Sequence, residues 1–371
     1  MAELNRNSYL SKNVGNFPAT TVIGGREYVK VQDLRYGTNP HQPAAYYKPA
    51  DTVCPIGDMQ ILKDGKSGLS QTNLEDISYA LNIVKFFDRP ACAVMKHVNP
   101  SGAAVQCGGE DIRQVYIKAR DADARAAFGS AVAFNTVVDT ATAKEIMGSF
   151  VECVVAPAYE AGVLDIFNDG ETFKLNRHIR IIQCGDISRL PKFTGQGDAQ
   201  SNTIKVLADG SLIIAAPLTT SLRSVSDLKS AESENAKVGK QVSAHSATPA
   251  QLADLLFAWY VNLSVRSNGV VIAQNGQTIS VGTGEQDRVG AVEQAIAKYR
   301  QKYQGDNSIK NSVMSSDGFF PFADAVEVAA EAGITAIVCP AGSLRDAEVI
   351  KRANELGVAL YYAPERIFSH H

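Results

Sequence analysis

The stretch DAVEVAAEAGITAIV (residues 324–338), followed by DAEVIKRANELGVALY (residues 346–361), decides the fold class. In the first, apolar residues recur at helical spacing from Asp324 to Ala332, and Gly333 ends the helix. Ile334 to Val338 is then a short continuous apolar run of strand type. The second stretch repeats the pattern: a helix from about Asp346 to Leu356, a stop at Gly357, and a strand from Val358 to Tyr361. Helices spaced in this way between short apolar strands require crossover connections, and crossovers build sheets that are at least partly parallel. The expectation is an α/β fold with layered α/β/α architecture.

The same alternation extends upstream. Thr248-Pro249 is a cap followed by proline at the first helical position, and Leu252, Leu255, Leu256, Trp259 and Leu263 follow at helical spacing as a core face. In the first half, Thr72 with Glu75 three residues on predicts a capped helix running to Phe87. Asp139 or Thr140 opens another helix, and Cys153 to Ala156 is the next strand. With 371 residues the chain is long enough for two domains. The softest composition, Thr194 to Ser201, sets the expected boundary near residue 200, giving α/β subdomains 1–200 and 201–371. A polar stretch from Ser224 to Val242 reads as a surface loop with a short helix.

Hydrophobic residues make up 45% and charged residues 20% of the chain, which are globular values. A net charge of −3 argues against a general nucleic-acid footprint, so any attraction for anions is local. The six cysteines stand in no close pairs and mostly in apolar runs, as expected of reduced, buried thiols. Residues 1–7 carry no apolar core of a signal peptide, and no apolar stretch approaches the roughly 20 residues of a membrane helix. The expected location is the cytoplasm, without a membrane partner.

Several chemistries are excluded by spacing. Gly65-Lys66-Ser67 resembles the end of a phosphate-binding loop, but Gln60 stands where its first glycine is required. Gly282-Thr283-Gly284 follows a strand, but Asp287 replaces the third glycine of a dinucleotide fingerprint, leaving the glycines free to admit backbone near a ligand. His97 is followed by Val98-Asn99, and no two cysteines stand three apart, so the zinc-deaminase pattern is absent. No serine sits in a Gly-x-Ser-x-Gly elbow.

What remains is a set of polar segments at the ends of apolar runs. The run Ala91 to Met95 reads as a buried strand ending in Lys96 and His97, with Asn99-Pro100-Ser101-Gly102 as a turn. A cation beside a base that titrates near neutrality suits an anionic substrate and proton transfer; a solvent-facing basic pair is the bland alternative. Arg35-Tyr36-Gly37-Thr38-Asn39-Pro40-His41-Gln42 joins an arginine fork, suited to phosphate or carboxylate, to a tyrosine able to stack on a flat heterocycle; a polar loop with internal side-chain bonds is the alternative. Asn268 precedes the apolar run Val270 to Ala273 and reads either as a donor to a developing oxyanion or simply as a turn residue. Phe319, Phe320 and Phe322 surround Pro321 just before Asp324, which reads either as a flat-ring site or as a hydrophobic staple with Asp324 as cap.

Taken in order, Arg-Tyr-Gly-x-Asn-Pro-His-Gln, Lys-His-Val-x-Pro-x-Gly, Phe-Gly, Ser-Asn, Ser-Ser-Asp-x-Phe-Phe-Pro-Phe and the terminal Arg-x-Phe with two histidines resemble the transformylase domain of the bifunctional AICAR transformylase/IMP cyclohydrolase family. The resemblance covers almost the whole chain, from Leu34 onward. It implies two tandem cytidine-deaminase-like α/β/α sandwiches without zinc, assembled as a homodimer with active sites across the interface. It implies formyl transfer from 10-formyltetrahydrofolate, as co-substrate, to the 5-amino group of AICAR, without a catalytic metal; a structural potassium ion would accord with the family, but the sequence assigns it no ligands. By the same resemblance Lys96, His97 and Asn268 are catalytic. Arg35, Tyr36, Gly129, Glu152, Phe319, Arg366 and Phe368 bind AICAR, and Arg288, Pro321, Phe322 and Asp324 bind folate.

The chain also departs from the family pattern. Arg35-Tyr36-Gly37 lies close to its start, so the cyclohydrolase region is expected to be missing and ring closure to fall to a separate IMP cyclohydrolase. Glu152 replaces the family's aspartate, only a short segment separates Arg288 from Ser315, and Ser369 stands between Phe368 and the two histidines. Two other functions stay open at this point: formylation of an aminoimidazole nucleotide from another one-carbon donor, and a paralogue that binds the nucleotide without chemistry.

Overall fold

A computed structural model describes residues 12–196 and 202–370. The expected boundary between residues 200 and 201, and the last histidine, lie outside the described residues. The chain packs into two compact units that interleave along the sequence. One comprises the described parts of Met1–Lys85, Phe128–Pro191 and Gln196–Pro217; the other comprises those of Phe86–Ala127, Lys192–Gly195 and Leu218–His371.

In the first unit, strands Ser130–Phe134, Val151–Ala156 and Arg180–Gln183 run parallel in that order, and Gln60–Lys63 adds antiparallel beside the last. The residues of the first two strands are buried almost throughout, as parallel strands covered by helices must be. Helix Gln71–Val84 packs on both of them. It starts earlier than the sequence suggested. Ser70, not Thr72, is the cap, because its hydroxyl accepts from Asn73 N while the Asn73 side chain accepts from Ser70 N. Glu75 instead accepts from Gln71 Nε2 at 2.8 Å. An antiparallel sheet of Thr20–Ile23, Arg26–Asp33 and Ala45–Pro49 completes the N-terminal part of this unit.

In the second unit the sheet order is Lys229–Ser230, Ala359–Ala363, Ala336–Pro340, Val313–Ser316, Val270–Gln274, Gln277–Gly282, Asn99–Val105 and Ala91–Lys96. Val313–Ser316, Ala336–Pro340 and Ala359–Ala363 are mutually parallel, and the others pair antiparallel. The sheet is thus mixed, with its parallel part where the two C-terminal crossovers require it. Helix Pro249–Asn262 has Thr248 as cap and Pro249 at its first position, as read from sequence. Helix Asp324–Ala332 ends at Gly333 (φ 100°), and helix Asp346–Glu355 matches its expected span to within a residue. Asp324 is not the cap: Ala323 occupies that position, and the Asp324 carboxylate accepts from its neighbour Ala325 N at 2.8 Å.

Two further expectations are corrected. Asn99-Pro100-Ser101-Gly102 is not a turn but the start of strand Asn99–Val105. Pro100 is accommodated because the register shifts between Val94 and Met95, a bulge that spares the ladder the missing N–H. The 224–242 stretch holds a short 3₁₀ turn at Val225–Asp227, the brief Lys229–Ser230 strand and a hairpin of Glu232–Asn235 with Gly239–Val242. Of the cysteines, Cys92, Cys153, Cys184 and Cys339 are buried, but Cys54 and Cys107 are partly exposed. Among the described residues no helix is long and apolar enough to cross a membrane.

Two glycines set the helix-to-sheet distance in this unit. A Cβ on Gly102 would lie 2.1 Å from the Ala119 carbonyl oxygen, and one on Gly282 would lie 2.1 Å from that of Ala291. Gly282 therefore admits the backbone of helix Arg288–Lys302, not a ligand as its sequence context suggested. Gly282→Ala is expected to lower the unfolding free energy by about 1–3 kcal/mol through overpacking. Urea unfolding checks this; an unchanged midpoint would mean that the helix can back away from the strand without cost.

Candidate functional site

The residues singled out from sequence fall into two groups, one in each unit. In the first unit, Arg35 and Tyr36 are held against the start of helix Gln71–Val84: Arg35 N donates to Leu69 O at 2.8 Å, and Gln71 N to Tyr36 O at 3.1 Å. The Arg35 guanidinium is only 6% exposed. It donates to the Tyr36 hydroxyl at 3.0 Å and lies 4.6 Å from the centre of that ring, while its Nε has no hydrogen-bond partner. Burial, and then the nearby Arg180, lower the Arg35 pKa from its ordinary value, while Tyr36 and Glu152 oppose the shift. A buried guanidinium with an unsatisfied donor gains from an anion that reaches it.

Glu152 sits on strand Val151–Ala156, where Oε2 accepts from Asn73 Nδ2 at 3.0 Å. Arg180 is tied to the Gly68 carbonyl through Nε at 2.7 Å. Gly129 takes φ 73° and donates its N–H to Phe150 O at 2.7 Å, one residue before strand Ser130–Phe134. The backbone bends there in a way that a side chain would resist.

In the second unit, Lys96 and Asn99 are paired residues of an antiparallel hairpin, so His97 and Val98 alone make the turn. Both take positive φ, 53° and 59°, the combination a type I′ loop requires. Such loops ordinarily use asparagine and glycine, and a β-branched residue there is strained. The strain is offset by Asn99. Its Nδ2 donates to the His97 carbonyl at 3.2 Å, and its Oδ1 accepts from Arg266 N at 3.1 Å and from Thr283 Oγ1 at 2.6 Å. One side chain thus joins the Lys96–His97 turn, the segment leading to Asn268 and the Gly282-Thr283-Gly284 turn. The His97 side chain is exposed above this clamp.

Asn268 follows a cis Ser267–Asn268 peptide and is anchored twice to Glu285 O, through its backbone N at 3.1 Å and its Nδ2 at 2.8 Å. One amide hydrogen is spent on that anchor, and the other hydrogen and Oδ1 are left for a ligand. Behind it lies Asp317, fully buried, which accepts from Gly269 N at 2.9 Å and forms an ion pair with Arg288. Arg288 is itself buried and lies 5.6 Å from the centre of the Phe368 ring, which Arg366 covers at 4.4 Å. The tail is stitched in by Ile367 N to Asp317 O at 3.1 Å and Ser267 N to Ser369 O at 2.9 Å.

Of the phenylalanine cluster, Phe320 is core. Phe319 is half-buried, and Phe322 is exposed beneath Arg345 at 4.7 Å; Pro321 and Asp324 are exposed nearby in sequence. Lys96, His97, Asn268, Arg366 and Phe368 are therefore bonded into one framework through Asn99, Arg266 and the 366–369 tail, with Arg288 joined through Asp317. Phe322 and Asp324 lie apart from that framework in the chain, at the start of the next helix, where Phe322 meets Arg345 and Asp324 accepts from Ala325 N. Sequence reading missed Asn99, Thr283 and Asp317 as structural partners, although Asn99 and Asp317 lie inside the quoted motifs. Among the described residues no group of three or more His, Cys, Asp or Glu side chains is arranged to hold a metal ion.

The model of the AICARFT/IMPCHase bienzyme family matches residues 5–298. The chain is also similar to proteins named bifunctional purine biosynthesis protein PurH. It is 38% identical to that of Nostoc punctiforme over 342 residues, covering 92% of this chain and 59% of the relative. It is 37% identical to that of Magnetococcus marinus over 364 residues, covering 96% and 62%. For Acetivibrio thermocellus the figures are 38% over 367 residues, covering 98% and 63%. The chain thus spans about three fifths of the length of these relatives. With its motifs in order, its mixed α/β units and a family model matched over most of its length, the chain belongs to the AICARFT/IMPCHase bienzyme family.

Proposed function

We propose that this chain works in purine biosynthesis as a formyltransferase, moving the formyl group of 10-formyltetrahydrofolate to the 5-amino group of AICAR. The observation that carries this reading is the strained Lys96–His97 turn clamped by Asn99 to the segment bearing Asn268. The names of its relatives support it. Strain of this kind persists only where surroundings over-determine it, which is typical of working sites.

The AICAR amine is a weak nucleophile, because its lone pair is delocalised into the imidazole and carboxamide. Attack on the formyl carbon needs orientation, removal of a proton and support for the tetrahedral oxyanion. In this reading His97 assists removal of the amine proton, directly or through the adjacent carboxamide. Lys96 supports the oxyanion or returns a proton to the departing folate nitrogen. Asn268 uses its remaining amide hydrogen and Oδ1 to hold the reacting groups. Collapse of the intermediate breaks the bond between formyl carbon and folate nitrogen, giving formyl-AICAR and tetrahydrofolate.

Arg35, Tyr36, Gly129 and Glu152 in one unit, and Phe319, Arg366 and Phe368 in the other, are assigned to AICAR. Pro321, Phe322 and Asp324 are assigned to folate, with Asp324 pairing to the pterin amide edge. Arg288 is assigned to the same site, where its pair with Asp317 fixes its position. In a homodimer with sites at the subunit interface, the two groups can be drawn from different copies. No described residue is assigned to ring closure, which the reading leaves to an IMP cyclohydrolase. The cytoplasm, where folate and nucleotide pools meet, is the assigned compartment.

The deciding experiment mixes purified protein with AICAR and 10-formyltetrahydrofolate. Release of tetrahydrofolate with accumulation of formyl-AICAR supports the reading; AICAR binding without turnover defeats it. His97→Ala is expected to lose about 10²–10⁴-fold in kcat and Lys96→Ala about 10²–10³-fold, each with an unchanged circular dichroism spectrum. A folded His97→Ala enzyme with near-normal turnover removes the proposed base. Asn99→Ala, which loosens the turn without touching substrate, is expected to lower kcat by about 10²-fold with little change in KM for AICAR. Asn99→Asp keeps the acceptor for Arg266 and Thr283 and should recover part of the loss. Equal loss in both variants would mean that the clamp does not position the site.

A further inference from the structure

We infer that the second unit carries another small-molecule site, which takes a flat aromatic anion. A cavity of about 640 Å³ lies where helix Pro249–Asn262 meets the loop before Ala91 and the Asn275–Gly276 turn. This volume is inside the range of ligand sites, about 300–1,000 Å³. It is far from the framework of Lys96, His97 and Asn268, because it sits at the other ends of the same strands. Strand Asn99–Val105 leaves the Lys96–Asn99 hairpin turn and ends at Val105 on the cavity wall; strand Val270–Gln274 starts just past Asn268 and leads into Asn275, also on the wall. At about 3.3 Å per residue, such strands put roughly 15–20 Å between the two places.

The walls dictate the ligand class. Phe86 and Tyr260 are stacked with centroids 4.4 Å apart and planes 13° from parallel, and Phe193 meets Phe86 edge-on at 5.8 Å. Phe257 adds a fourth ring to the lining. A rigid aromatic wall offers planar contact at little cost in side-chain entropy. Three cations line the same space: Arg89, Lys192 and Arg223. Arg223 lies over Phe193 at 4.7 Å from the ring centre, and its Nη2 donates to Thr194 O at 3.2 Å. Two carboxylates, Asp88 and Asp254, oppose them, and Asp254 is engaged by Asn275 N at 2.9 Å and Gly276 N at 2.7 Å. Those bonds leave the Asp254 charge in place, so the lining carries three positive groups against two negative ones. Aromatic faces with a surplus of positive charge select a ring system bearing a sulfonate, carboxylate or phosphate. Neither the motifs nor the proposed formyl transfer uses any of these residues.

The probe is 1-anilinonaphthalene-8-sulfonate, which is flat, anionic and fluorescent in apolar surroundings. Titration of the full chain is expected to give saturable enhancement with one molecule per chain, undiminished by saturating AICAR. Arg223→Glu, an exposed position, should raise Kd about tenfold or more, the scale of one charge-assisted contact. Ala253→Trp, which grows from the exposed face of the helix into the cavity, should abolish the signal. The uncharged N-phenyl-1-naphthylamine should bind at least tenfold more weakly than the sulfonate. Circular dichroism of each variant guards against unfolding. Non-saturable binding, displacement by AICAR, or equal affinity in folded Arg223→Glu and Ala253→Trp variants would each overturn the site. Because AICAR competition and turnover are read separately, failure here leaves the formyl-transfer reading standing, and the reverse also holds.

Discussion

The second unit depends on one buried carboxylate. Asp317 is fully enclosed, yet it carries a charge, and a buried charge is tolerated only when paired and hydrogen-bonded. It meets that demand through two distant segments, Gly269 ahead of a central strand and Arg288 at the head of a helix, while the backbone carbonyl of Asp317 accepts from Ile367 N in the tail. Removing one partner of such a pair costs about 3–5 kcal/mol, because the other charge is stranded. Gly318 belongs to the same arrangement, since a Cβ there would lie 2.5 Å from Arg288 Nη2 and 2.5 Å from the Phe368 ring. The tail that brings Arg366 and Phe368 into place is thus held by electrostatics and close packing from within.

Around this anchor, polar side chains do the joining that loops alone cannot. Asn99 spans three segments, Asn262 donates to Gly269 O and to Ser315, and Trp259 donates to Thr220 Oγ1 at 2.9 Å beneath them. The Asn262 and Trp259 bonds satisfy backbone or indole groups that would otherwise be buried unpaired, and those of Asn99 join segments at the surface. Such networks favour one arrangement of the loops over near alternatives, because a shifted loop leaves several groups unsatisfied at once.

The parts of the fold legible in the sequence are those governed by local rules. Helices Asp324–Ala332 and Asp346–Glu355 show apolar periodicity and a glycine stop, and both depend on contacts a few residues apart. Thr248-Pro249 is legible for the same reason. The Asn-Pro-Ser-Gly segment was misread because turn chemistry is a local preference, and two neighbouring strands overrule it by supplying a ladder and a bulge for Pro100. The Ser70 cap was missed because Glu75, three residues after Thr72, has the spacing of a capping box, while Ser70 has Asn73 at that spacing; the reciprocal bond with Asn73 decides between them. At the candidate site, residue types at Lys96, His97, Arg35 and Asn268 were readable from motif order. The partners that fix them were not, because Asn99 to Thr283 and Asp317 to Arg288 are contacts between residues distant in the chain. The N-terminal antiparallel sheet offered one local signal that the sequence reading passed over, Gly24-Gly25 as a two-residue hairpin turn with φ 60° and 83°; its strands are half-exposed along most of their length, so apolar alternation gave little help.

The paired glycines Gly102 and Gly282 bear on motion. Each lets a helix carbonyl ride directly on a strand, and with that clearance gone neither strand can slip along its helix without a clash. Sliding and shearing, the slow collective movements of packed layers, are closed to this part of the sheet. The freedom that remains at its end is that of exposed side chains such as His97, whose rotamer hops fall on the picosecond-to-nanosecond scale. This end of the sheet is a stiff floor, and any larger rearrangement must come from elements other than these two strands.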